Sequence, residues 1–149
     1  MTPTSNRLST FFKESDTEFG VFYPKHYILA TYRNDPDAEH ARDLLRDAGF
    51  EADEVIAVNG DEVVQFAQDL VLRQGLWGVV MEKLSAMFNT EATYAEADLN
   101  AAKAGAGFVA VHCPTEPSKE QAWAVLRPTA PAAARYYMAG GIEHLAGET

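Results

Sequence analysis

At 149 residues, 47% hydrophobic and 23% charged, the chain is long enough to bury about two-thirds of its unfolded surface around one core, which excludes wholesale disorder. Its 22 acidic residues against 12 basic ones give a formal net charge of −10, a field that repels phosphate backbones and anionic headgroups and argues against nucleic acid and membranes as partners. The single cysteine, Cys113, can form no intrachain disulfide and fits a reducing, cytoplasmic setting.

Residues 1–25 mix Ser, Thr, Asp and Lys with isolated aromatics (Phe11, Phe12, Phe19, Phe22, Tyr23), which suits an arm laid over a single domain spanning 26–149. No stretch near the N-terminus has the apolar length of a secretory signal. The most apolar run, Leu70 to Phe88, is broken by Arg73, Gln74, Glu82 and Lys83, too polar a set for a membrane span.

His26 to Tyr32, rich in aromatic and β-branched residues, predicts a first strand ended by the turn residues Arg33-Asn34-Asp35-Pro36. A helix follows, capped by Asp35, striped by Ala38, Ala41, Leu44, Leu45 and Ala48, and stopped by Gly49. Glu54 to Val58 reads as the second strand, closed by Asn59-Gly60. Three helical patterns come next. The first opens at Asp61 (Val63, Phe66, Ala67, Leu70), the second follows Gly75 (Leu76, Trp77, Val80, Met81, Leu84, Met87, Phe88), and the third surrounds Tyr94, Ala97, Ala101 and Ala102 and ends at Gly105. Phe108 to Cys113 is the third strand, and Ser118 with Gln121 reads as a capping box for a helix carrying Ala122, Val125 and Leu126. Ala133 to Met138 is the fourth strand.

Ile28 and Ala30 alternate with Leu29, and Val109 and Val111 with Phe108 and Ala110, so both faces of these strands are apolar and both need a cover. The first and last helices suit one face. The inserted helices or a second copy of the chain suit the other, which makes a homodimer a natural solution.

The order of strand, DAEHARDLLRDAGF helix, DEVIAV strand, helical insertion, Tyr94-to-Gly105 helix, GFVAVHC strand, helix and final strand resembles the bacterial general-stress, or heat-induced stress, protein family over residues 26–140. That resemblance implies an α/β (α+β) ferredoxin-like sheet of four antiparallel strands with two crossing helices and a helical insertion between strands two and three. It implies a stress-related module with no catalytic residues to carry over. The N-terminal arm and the Ala/Pro-rich passage before Tyr136 depart from the family pattern, and a flavodoxin-like parallel sheet is the alternative fold.

The stretch Val111-His112-Cys113-Pro114-Thr115-Glu116-Pro117-Ser118-Lys119 has the strand, His-Cys, loop and helix order of cysteine-dependent phosphatases. Its sixth position is Lys119 rather than a forked Arg, two prolines remove N–H donors, and Glu116 sets a negative charge where a dianion would bind. Metal binding has His112, Cys113 and His144 as its plausible ligands, but none shows paired spacing, and neighbours in a strand point to opposite faces. No glycine-rich phosphate cradle occurs. Glu143-His144 offers an acid beside a base, read more plainly as a surface terminus. The reading is therefore a non-catalytic interaction or regulatory module, acting with itself or another protein and needing no cofactor or metal. Its alternative is a small-molecule or metal-binding protein, or more remotely a phosphatase-like enzyme, with His112, Cys113, Tyr136 and His144 as the ligand-binding candidates.

Overall fold

The computed structural model describes residues 15–16, 23–65, 100–138 and 141–146. The expected helical patterns at Phe66 to Leu70, Leu76 to Phe88 and Tyr94 to Ala97, and most of the arm, lie outside the described residues. The elements in chain order are β1 (Ser15–Asp16), β2 (Tyr23–Pro24), β3 (Tyr27–Tyr32), α1 (Asp35–Asp47), β4 (Val55–Asn59), β5 (Gly107–His112), α2 (Glu116–Leu126), a 3-10 turn (Arg127–Thr129), β6 (Ala133–Met138) and β7 (Gly141–Ala146). The short strands β1 and β2 pair with each other, and the rest form one five-stranded sheet of order β4-β5-β3-β6-β7. Every pairing in it is antiparallel. The fold is therefore α+β, and the parallel flavodoxin-like alternative does not form.

Local chemistry explains where the elements begin and end. β3 starts at Tyr27 and not at His26, because His26 has a left-handed backbone (φ 69°) that ends the extended run. Its N–H donates to the carbonyl of Tyr137 at 2.6 Å and its carbonyl accepts from the N–H of Cys113 at 2.7 Å. α1 is capped one residue earlier than expected, by Asn34, whose side-chain oxygen accepts from the Asp37 N–H; Asp35 lies in the first turn, where its charge favours the helix dipole. Gly49 at φ 112° closes the helix, with the Phe50 N–H bonded back to the Leu45 carbonyl. α2 is capped by Thr115 and boxed by Ser118, not by Ser118 with Gln121, because Thr115 holds the extended backbone a cap requires and Ser118 is already one turn inside. Residues 60–65 are helical behind Asn59, whose side chain accepts from the Glu62 N–H while Glu62 accepts from the Asn59 N–H.

Period-two alternation gives the sheet two distinct faces. α1 and α2 cover one of them, here called the helix face, which collects Ile28, Ala30, Tyr32, Val55, Ala57, Val109, Val111, Cys113, Ala134 and Tyr136 against Ala38, Ala41, Leu45, Ala122 and Leu126. On the far face Tyr27, Ile56, Val58, Phe108 and Ala110 are buried with Ala102 and Ala106, and Leu29, Val63, Val64 and Ala101 pack against them. Two close approaches fix the layers. A β-carbon on Gly107 would lie 2.6 Å from the Asn34 carbonyl and 2.7 Å from the Asp35 Cα, and one on Gly60 would run into the Ala102 carbonyl, so the start of α1 and the ends of the insertion sit directly on backbone.

The fifth strand, β7, replaces the expected surface terminus. It pairs along β6 from Met138↔Gly141 to Ala134↔Ala146, with a register shift between Ala134 and Arg135. Among the described residues no helix is long and apolar enough to cross a membrane.

Candidate functional site

The phosphatase-like loop is bound up in the packing of the helix face. Cys113 is wholly buried, and burial first, then the Glu54 carboxylate, pushes its thiol up to about 12, against a smaller opposing effect of Lys119. The thiol donates only to the Val111 carbonyl, at 3.7 Å. It is protonated at neutral pH, the wrong state for a nucleophile. Lys119, the residue at the would-be anion position, lies 2.8 Å from Glu143 and 3.0 Å from Glu116, with its ammonium 5.4 Å from the centre of the Tyr136 ring. The hydrogen bond to Glu143 is the largest influence holding its pKa up, to about 12, against the cost of burial; Glu116 adds to it. The Tyr136 hydroxyl donates to the Cys113 carbonyl at 2.7 Å. These bonds hold α2, β6 and β7 together.

His112 takes the opposite face, as its place next to Cys113 in a strand requires. Its Nδ1 lies 2.8 Å from Glu54 Oε1, and since a carboxylate can only accept, the contact assigns the proton to Nδ1. The main chain repeats the link, with the His112 N–H bonded to the Glu54 carbonyl at 2.8 Å. The ring rests on Tyr27, centroids 4.7 Å apart.

The four sequence candidates therefore separate. Cys113 and Tyr136 meet on the helix face, where both are structural. His112 and His144 share the far face but belong to β5 and β7, with β3 and β6 between them, and His144 is exposed. A pocket joining His112 to Tyr136 is ruled out by strand parity, because Tyr136 is in register with Ile28 and Ile28 with Val111, all on the helix face. Among the described residues no group of three His, Cys, Asp or Glu side chains is placed to hold a metal ion.

The far face brings in Arg135, Thr31 and Tyr27, which sequence reading passed over as site residues. Arg135 is 3% exposed, with its guanidinium carbon 6.0 Å from the centre of the Tyr137 ring, and Thr31, Tyr27 and Tyr137 are buried on the same face. In register, Tyr27 is opposite His112, and Leu29 is opposite Arg135, which is in turn opposite His144. One signal for Arg135 was available: a charged residue in a strand between Ala134 and Tyr136 faces away from them. Glu54 gave none, because 58 residues separate it from His112. No known protein family, curated protein or solved structure matches this chain.

Proposed function

We propose that this chain is a non-catalytic binding module that works as a homo-oligomer, with the stress-related role and cytoplasmic setting that its sequence resemblance and lone cysteine suggest. The observation that carries the non-catalytic part is the engagement of each reactive-looking group in internal contacts: Cys113 buried and protonated, Lys119 held by two carboxylates, and Tyr136 bonded to backbone. The strand order β6-β3-β5-β4, with α1 and α2 on one face, supports reading the core as ferredoxin-like, with β7 added at one edge. Light scattering on the full chain at micromolar concentration is expected to give a dimer mass or larger. A strict monomer overturns the homo-oligomer.

A second reading, a small-molecule-binding protein, is favoured by one specific observation. The sheet residues Thr31, His112 and Arg135, buried and polar, all lie on the far face.

A further inference from the structure

β7 is the least embedded strand of the five-stranded sheet. β5 is buried at every position, whereas β7 is half-buried throughout except at His144, which is exposed. It lies at the sheet edge, and among the described residues its strand partner is β6, in a ladder that a register shift interrupts between Ala134 and Arg135. Short edge strands with interrupted ladders open at lower free energy than core strands. The connection to β6 is also poorly matched to its length. Met138 pairs with Gly141, leaving two residues between the strands, and two-residue turns favour Asn-Gly or a leading glycine; here the pair is Ala139-Gly140.

The seat that receives β7 is specific. Glu143 reaches Lys119 of α2 at 2.8 Å, and Leu145 and Ala146 pack against the helix face. Lys119 has a second carboxylate, Glu116 of its own helix, at 3.0 Å, and its ammonium is 5.4 Å from the centre of the Tyr136 ring, so α2 and β6 keep the cation in place with β7 docked or undocked. A strand with the register of β7, a carboxylate at the place of Glu143 and apolar side chains beyond it fits this seat, and a second copy of the chain carries that strand.

Resting on the homo-oligomer reading, we infer that two copies of this chain associate by exchanging β7, each seating the strand of the other beside its own β6. Exchange keeps the strand pairing and the bond between Lys119 and Glu143, now made between chains, and releases the mismatched two-residue turn.

The test is complementation between two full-length variants with opposite charge reversals. K119E and E143K each set like charges together when β7 stays in its own chain or is exchanged with an identical copy. Refolded together, they restore opposite charges at both seats only if β7 crosses between chains. Native mass spectrometry of the mixture is expected to show the mixed dimer about tenfold over either single-variant dimer, against about twofold by chance. The chance ratio overturns the exchange and leaves a homo-oligomer standing; an unsubstituted protein that is monomeric overturns both. If either charge variant does not fold, A134C/A146C decides: these strand partners both pack on the helix face, and oxidation is expected to yield chains linked in pairs on a non-reducing gel. Chains that run singly overturn the exchange.

Discussion

Cys113 shows how completely environment decides the chemistry of a side chain. The thiol follows a histidine and precedes a helix N-terminus, yet burial raises its pKa to about 12 while Lys119 beside it is spent on Glu143 and Glu116. A thiol reagent such as 5,5′-dithiobis(2-nitrobenzoate) is expected to leave the native protein unmodified at pH 8 over minutes and to titrate one thiol per chain in denaturant; rapid native reaction would show the thiol is open. Strand parity made the separation of His112 from Cys113 legible in the sequence. The partners of His112 were not: Glu54 and Tyr27 are far off in the chain, and no local periodicity records which strand will become the neighbour.

Elements were legible where one physical signal dominated. β3 and β5 are runs of aromatic and β-branched residues, β6 carries the adjacent pair Tyr136-Tyr137, and α1 carries a clean apolar stripe into a Gly-Phe stop. The caps slipped by one to three residues because Asn34 and Asp35, or Thr115 and Ser118, are equally able acceptors in sequence, and only backbone geometry chooses between them. β7 escaped because Gly-Ile-Glu-His-Leu-Ala has no β-branched run, and its strand character comes from pairing with β6 and from Glu143 reaching Lys119. Thr115→Ala removes the cap oxygen of α2 and is expected to cost about 1 kcal/mol. Gly107→Ala drives a methyl into the start of α1 and is expected to cost about 1–3 kcal/mol. Urea unfolding of both variants checks the ranking; a neutral Gly107→Ala would mean that α1 can move off the sheet.

Among the described residues, three raised pKa values act in one direction across the molecule. Cys113 rises from 9.0 to about 12, Lys119 from 10.5 to about 12, and Tyr32 rises from 10.0 mainly through burial, partly offset by its bond to Thr129. Each group keeps its proton in the folded chain at a pH where the unfolded chain has released it. The stability these three groups contribute is therefore complete below about pH 9 and falls between about 9 and 12, Cys113 acting first. Urea midpoints at pH 8 and pH 10.5 are expected to show the fall, and Cys113→Ala to flatten its early part. A midpoint as high at pH 10.5 as at pH 8 would contradict the burial of these groups.

The strand order carries a kinetic consequence. In the five-stranded sheet only β6 and β7 are both neighbours and close in sequence; β3 must find β5 and β6, and β4 must find β5 across 47 intervening residues. Little of the sheet can assemble as a hairpin, so the transition state must close large loops before it gains packing, the regime of slow folding. Loop-closure entropy grows only with the logarithm of length, about 0.6 kcal/mol per doubling, so the sequence separation between β4 and β5 weighs more on the rate of folding than on stability. An insertion there changes how long the protein takes to fold far more than how firmly it stays folded.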